Sequence, residues 1–431
     1  MCRESSDCAM KLKSRRFASI MIRATRHDSL GVVILLFAFG CARDGVPQPT
    51  IERTTFYVPQ DSPTIQSAID LCTPGDTVLV AAGTYAGIGN CNLLFHGLSI
   101  YLIAPEGPET TVIDCSDRHE FNRALEVRRG ESVVVRGFTM RDGDRTNGDY
   151  GGSISCSGGT ISVIDCIICD NRADFGGGGV FLVNGAHGLF ESCRLVDNVS
   201  DNGGGGAFQV AFSSELVLKG CYVSGNASPG GGGISSRQSS RVVVTECEIS
   251  GNFTLNGGGG GLSIGGGTFL IDSTVIQGNV ASNWFGGGVL CAGTQGKMQN
   301  CTVAGNAASF SGGGVDVTAS DVIIDKTIIW GNCSGEYAAI NVVGPRSNVT
   351  ISCSAFNRMG IGGTGNWAFI GEQVEEDPLF CHPLACGLQT SGDYRIQEDS
   401  PCREKRSPCG SRIGASEVCF GRRSSTAVGR L

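Results

Sequence analysis

A column of asparagines constrains this chain more than any other feature. Asn171, Asn198, Asn226, Asn252, Asn279, Asn306 and Asn332 follow one another at intervals of 27, 28, 26, 27, 27 and 26 residues. Two further columns keep phase with it. Glycine clusters begin at Gly176, Gly203, Gly230, Gly257, Gly286 and Gly312. Five residues before each Asn stands Cys166, Cys193, Cys221, Cys247, Thr274, Cys301 or Thr327, a series that Thr139 extends upstream by the same step. Self-similarity at a fixed period of this size marks stacked units that cannot bury their apolar faces alone.

Within a unit the apolar pattern has period two. Ile168, Leu195, Val223, Ile249, Ile276, Val303 and Ile329 lie three before each Asn, and Val163, Phe190, Leu218, Val244, Ile271, Met298 and Ile324 lie eight before it. Short alternating runs broken by Gly and Asn are β structure, and no helical stretch separates them. A 27-residue unit of three short strands makes one coil of a parallel β-helix. Stacking the coils turns inward columns into aliphatic ladders that exclude water. The asparagines are expected to take left-handed turn geometry and link their amides from coil to coil, and the glycines to supply positive φ at the sharpest corner. The cysteine column is expected to be buried packing, with Thr as a substitute of similar size.

Composition excludes the alternatives. The 66 glycines are about twice the ~7% background, yet no Gly-X-Y period exists. Charged residues make up 17% and net charge is −8, with no basic stripe, so nucleic acid is not an expected partner.

The first residues read as an export signal. Arg23 and Arg26 precede the apolar run Leu30–Phe39, which is too short to span a bilayer. The run closes on Ala38-Phe39-Gly40-Cys41, similar to a bacterial lipoprotein cleavage box, although such boxes usually carry Leu at the place of Ala38. Cys41 is therefore the expected lipidation site and the expected sole membrane attachment, with ordinary signal cleavage as the alternative. The domains read as signal peptide 1–41, linker 42–54, β-helix with its N-terminal cap 55–370, and a Cys-rich C-terminal cap and tail 371–431. Pro63–Asp70 reads as a short amphipathic capping helix with Ile65, Ala68 and Ile69 on one face. Cys381, Cys386, Cys402, Cys409 and Cys419 suit a disulfide-pinned cap in an oxidising compartment.

The segment from Pro63 to Tyr85, followed by Gly107-Pro108 and Thr111-Val112-Ile113-Asp114, resembles the first coils of exported bacterial right-handed β-helix repeat proteins of the pectin-lyase-like superfamily. Asp377-Pro378-Leu379-Phe380, Gly392-Asp393-Tyr394-Arg395-Ile396-Gln397, Ser400-Pro401-Cys402 and Ile413-Gly414-Ala415 resemble the terminal cap of the same proteins. The repeats between are similar to those of polymorphic outer-membrane proteins. The resemblance implies an all-β, right-handed parallel β-helix exported to the cell envelope, outer surface or medium. It does not fix an activity, because this fold hosts lyases, hydrolases, epimerases and adhesins. The paired aspartates, Gly-His-Gly and Arg-Ile-Lys of a polygalacturonase-like hydrolase are absent. His187, flanked by glycine, reads as a solvated turn residue.

Two constellations remain. Asp170 and Asp197 precede their asparagines and should stack, as should Asp174 and Asp201 three residues after, while Asp144 falls in the Asn column one coil earlier. Carboxylates on adjacent turns repel unless solvated, paired or bridged, and calcium takes several oxygen ligands. These five are candidate Ca2+ ligands, with Arg172 and Arg194 as counter-charges or, in a lyase, the base. Phe181 and Phe208 are expected in one outward column, with Phe175, Trp284, Phe285 and Phe310 flanking the glycine turns as platforms for sugar rings. The expected function is an exported, monomeric platform that binds a polysaccharide or cell-surface ligand without catalysis. The alternatives are a calcium-dependent polysaccharide lyase and a structural surface element.

Overall fold

The computed structural model describes residues 53–116, 122–387 and 392–415. The signal segment, Cys41 and Cys419 lie outside the described residues. No helix among the described residues is long and apolar enough to cross a membrane.

One coil shows how the chain winds. Ile154–Ser157, Thr160–Ile164, Ile167–Cys169 and Arg172–Ala173 are its strands, and each pairs in parallel with its counterpart one coil on. The stack forms sheets of 11, 13, 11 and 7 strands. We call them the glycine-side, broad, cysteine-side and short sheets. The coil thus holds the three expected strands plus a two-residue rung after the asparagine. Alternation decides what faces in: Thr160–Ile164 has Ile161 and Val163 buried between exposed or half-buried neighbours, and the inward columns join one core along the solenoid. Stacked rungs advance by about 4.8 Å.

The asparagine turn is a closed ladder. Asn252 Oδ1 accepts from Asn226 N at 3.0 Å and Nδ2 at 2.9 Å, while Asn252 Nδ2 donates to Asn279 Oδ1 at 2.9 Å and Val223 O at 3.0 Å. The same bonds run from Asn171 to Asn332. The left-handed residue is the one before the asparagine, not the asparagine: Asp142, Asp170 and Asp197 have φ of 56°, 56° and 55°, and Gly225, Gly251 and Gly278 continue that column.

The cysteine column also bonds between coils, a role that packing alone does not describe. Cys221 N donates to Cys247 Sγ, Cys247 N to Thr274 Oγ1 and Cys301 N to Thr327 Oγ1, each at 3.3 Å. Thiol and hydroxyl interchange because either accepts a buried amide hydrogen. The column cysteines are free and buried, and burial pushes the Cys166 and Cys301 thiols up to about 12.

Two column assignments shift by one residue. Thr139 pairs with Ile167, so Phe138 is the neighbour of Cys166 and donates to its Sγ at 3.4 Å. Asp144 pairs with Arg172, so Gly143 stands in the asparagine column and donates to Asn171 Oδ1 at 2.9 Å. The step between these coils is 28 residues, and a one-residue slip sends a side chain to the other face.

At the start, Ile65–Ile69 is helical, begun by a Thr64–Ser67 capping box, with Ile65, Ala68 and Ile69 buried. Cys91 and Cys115 form a disulfide there. The C-terminal segment lies along the flank of the last coils. Gly387 N donates to Gly305 O, Gly392 N to Gln277 Oε1 and Ala415 N to Thr302 Oγ1, and Phe380, Tyr394, Ile396, Cys402 and Ile413 form a second core with Ile328 and Ala355. Disulfides Cys333–Cys386 and Cys353–Cys409 tie it to the solenoid. Cys381 is disulfide-bonded as well, and Cys402 is free and buried. Such bonds suit an oxidising, extracellular or surface location.

Candidate ligand-binding site at the glycine corner

After each asparagine the chain turns through its glycines onto the glycine-side sheet. Gly177, Gly205, Gly231, Gly259, Gly286 and Gly312 have positive φ there; at Gly259, φ is +74° and a Cβ would stand 2.1 Å from Leu262 O. Side chains of the corner loops and of the adjoining glycine-side strands stand over it.

In the coils around Phe175 those side chains make a cleft of about 370 Å³, lined among others by Tyr150, Phe175, Asn202, Gln209, Pro229 and Arg237. Phe175 is 40% exposed. The Tyr150 ring lies 5.6 Å from it and stacks on Phe181 at 4.5 Å and 18°. Gln209 is buried. With its amide turned so that Nε2 donates to Gly204 O at 2.8 Å, its Oε1 accepts from Arg237 Nε at 2.9 Å and Nη2 at 2.6 Å. A buried amide thus holds an exposed guanidinium beside an aromatic wall.

Asp149 positions that wall. Its carbonyl accepts from Phe175 N at 3.1 Å, and its carboxylate accepts from buried Arg123 at 2.5 Å and from Arg145. Burial alone would raise the Asp149 carboxyl, but the hydrogen bonds from Arg145 and the Tyr150 amide, with the two arginine charges, hold it below the usual range. Burial, then the Arg145 charge, lowers Arg123. Tyr150, Asp149, Arg123, Gln209 and Arg237 escape a reading by columns because they occupy an irregular loop or single coils. The break in repeat length around residues 144–153 is the one signal that could have found the first two.

A second group on the same corner comprises Trp284, Phe285 and Phe310, with ring centres 5.6 and 5.4 Å apart in sequence. It borders a cleft shared with Ser309, Ser311 and Glu336. Trp284 and Phe310 are exposed and Phe285 is half-buried.

Two expected platform residues are not on the surface. Phe208 pairs with Val180, not with Phe181, is 0% exposed and packs edge-on against Phe190 at 4.8 Å. The loop from Asn198 to Phe208 is one residue longer than that from Asn171 to Val180, which turns Phe208 inward and gives its outward place to Gln209. Phe181 does point outward, but Tyr150 covers it to 8% exposure.

The acidic candidates divide. Asp201 binds Arg172, with Nη2 to Oδ1 at 2.8 Å. Asp174 accepts from Asn202 Nδ2, and Asp144 accepts from Thr146 N and Oγ1 at 2.9 and 2.7 Å. Asp170 and Asp197 adjoin on successive coils, where partial burial and then the Asp170 charge raise the Asp197 carboxyl. Asp142, not Asp144, is their neighbour in register, by extension of the Arg141–Cys169 pair. Among the described residues no three His, Cys, Asp or Glu side chains converge on one point where a metal could sit. Arg194 lies 4.0 Å from Glu109. His187 begins a strand of the broad sheet and lies 3.2 Å from Glu215.

A family model described as right handed beta helix region matches residues 98–273 and 150–308. The matched span is a right handed beta helix region, and the described coils form a parallel β-helix. No curated protein matches its sequence. Among solved structures, the Azotobacter vinelandii mannuronan C-5 epimerase AlgE4 A-module is similar at 16% identity over 73% of this chain and 91% of that one, with a TM-score of 0.34. The catalytic domain of a GH87 α-1,3-glucanase in complex with nigerose is similar at 14% identity, 77% and 69% coverage and a TM-score of 0.31. The PL6 family alginate lyase AlyGC is similar at 13% identity over 85% of this chain and 60% of that one, with a TM-score of 0.36. These likenesses concern the coil, and no residue role is carried over from them.

Proposed function

We propose that this β-helix is an exported platform that binds polysaccharide at its glycine corner without cleaving it. The observation that carries the reading is the cleft in which Phe175 and Tyr150 stand beside Arg237, itself held by buried Gln209. An aromatic face with a few fixed polar groups is what a sugar ring requires of a binding surface: the ring's C–H face stacks and its hydroxyls find donors and acceptors. The acids nearest the cleft are engaged, Asp149 with two arginines and Asp174 with Asn202.

The test is a screen of the purified protein against neutral and acidic polysaccharides, with and without calcium, recording retention on the polymer and chain cleavage. Retention without cleavage, weakened at least about tenfold, or ~1.4 kcal/mol, in both Phe175→Ala and Arg237→Ala, is the expected result. A protein that neither retains nor cuts any polymer would overturn it. The adjoining Asp170 and Asp197 favour one competing reading, a calcium-dependent lyase. Calcium-dependent cleavage lost in Asp170→Ala and Asp197→Ala would establish that reading instead.

A further inference from the structure

The two aromatic clefts lie on one edge of the solenoid, in register. Phe175 follows Asn171 by four residues and Phe310 follows Asn306 by four, with Pro229, Leu255 and Trp284 at the equivalent turns between. Phe175, Leu255, Trp284, Phe310 and Tyr337 are 40, 50, 44, 50 and 38% exposed. The corner keeps the solenoid's parallel register: Gly176, Gly204 and Gly230 bridge from coil to coil, as do Ser311 and Glu336. From Phe175 to Phe310 is five rungs, or about 24 Å.

Gly258 leaves room for the Trp284 ring and for Leu290. A Cβ there would stand 2.3 Å from Leu290 Cδ2 and 2.9 Å from Trp284 Cδ1. The polar side chains lining the two clefts are mostly neutral, Asn202, Gln209, Ser309 and Ser311, with one guanidinium at one cleft and one carboxylate at the other. Arg237 and Glu336 do not make a run of either sign, so the edge offers no track for a polyanion or polycation. What fits is an uncharged chain with a repeating apolar face whose advance per unit is close to one rung. An extended β-linked pyranose chain with equatorial hydroxyls has that face and that advance.

We infer, on the foundation of the binding reading above, that a single neutral β-linked glycan lies along the glycine corner parallel to the solenoid axis and engages both aromatic clefts at once. Binding then depends on ligand length. A chain too short to reach from Phe175 to Phe310 occupies one cleft, while a longer one makes its second contact intramolecularly, a gain of about 10²-fold or more.

The probes are β-1,4-linked glucose oligomers of two to eight units, titrated by calorimetry against the full protein. Affinity should step up by about 100-fold between three and seven units. Phe310→Ala should remove the step, and Phe310→Trp should restore it. An unchanged melting temperature in each variant guards against misfolding. Affinity independent of length, or no binding of these oligomers by the wild type, overturns the inference. The binding reading then stands or falls separately on the polysaccharide screen. Self-association of the unliganded protein that Trp284→Ala abolishes would also overturn it, by giving the edge to a second copy.

Discussion

Every regular coil turns sharply at its asparagine and again at its glycines, and the two turns solve the same problem in opposite ways. The asparagine turn closes on itself: Asn198, Asn226, Asn252, Asn279 and Asn306 are 0% exposed, and each amide is held by the coils on both sides. The glycine corner closes mainly through backbone bonds between coils and leaves Phe175, Leu255, Trp284 and Phe310 outside. Their lengths differ accordingly. From each left-handed glycine to the next asparagine, as from Gly177 to Asn198 or Gly286 to Asn306, the chain takes 20 or 21 residues; from asparagine to that glycine it takes 5, 6 or 7. The ladder fixes one turn, so insertions collect at the other. A β-helix of this kind can vary its surface only where nothing inside depends on the count, and the aromatic clefts are found there.

The comparison breaks most sharply on two phenylalanines. Phe208→Ala empties a fully buried site against Phe190 and should cost about 3–5 kcal/mol in a denaturant titration. Phe175→Ala, one coil away but outside, should stay within about 0.5 kcal/mol while reducing glycan retention. Equal losses would show that the corner is part of the core.

Next in size is the ladder. Asn252→Ala leaves buried Asn226 N without its acceptor, and removes the bonds to Asn226 Nδ2 and Val223 O on the preceding coil and to Asn279 Oδ1 on the following one. Leaving such buried groups unpaired should cost about 2–4 kcal/mol, whereas Leu255→Ala at the neighbouring corner should be nearly silent. A fall of less than about 1 kcal/mol for Asn252→Ala would mean that aliphatic stacking, not the amide ladder, sets the coil register.

How much of this was legible follows from the same contrast. Features tied to a repeated role were readable, the inward columns of Ile168 and Val163 and the asparagine ladder; the capping helix with Ile65 and Ile69 was readable from its own apolar face. Thr274 and Thr327 in the cysteine column were visible as well, but as packing substitutes; that the column bonds between coils was not read. What failed was counting through the glycine corner. One extra residue before Phe208 turned a proposed platform into core, and the 28-residue step above Asn171 displaced Thr139 and Asp144 from their assigned columns while hiding Asp142. The disulfide partners Cys333 and Cys353 were equally illegible, because no periodicity shows that the C-terminal segment folds back along the flank. Tyr150 and Arg237 belong to single loops, and a column analysis has no statistic for a residue that occurs once.

The smallest expected effect concerns the aspartates that border the ladder on its left-handed side. Asp197 carries a carboxyl raised first by burial and then by the charge of Asp170. The folded chain therefore holds this proton more tightly than the unfolded one, whose carboxyl titrates near ~3.9. By linkage the ionised group costs stability: the cost is absent below that value, grows as pH rises through the window between the unfolded and the raised folded pKa, and is constant above it. Asn tolerates the left-handed conformation as Asp does, so Asp197→Asn isolates the charge. It should raise the melting temperature at pH 7 by no more than about 2 °C, because the residue is exposed and its repulsion is screened by solvent. The gain should vanish at pH 3. Adding millimolar calcium to the wild type sharpens the question further: a matching rise that Asp197→Asn does not show would assign the stacked carboxylates of Asp170 and Asp197 to a cation, and no rise would leave them as solvated turns whose spacing the asparagine ladder imposes.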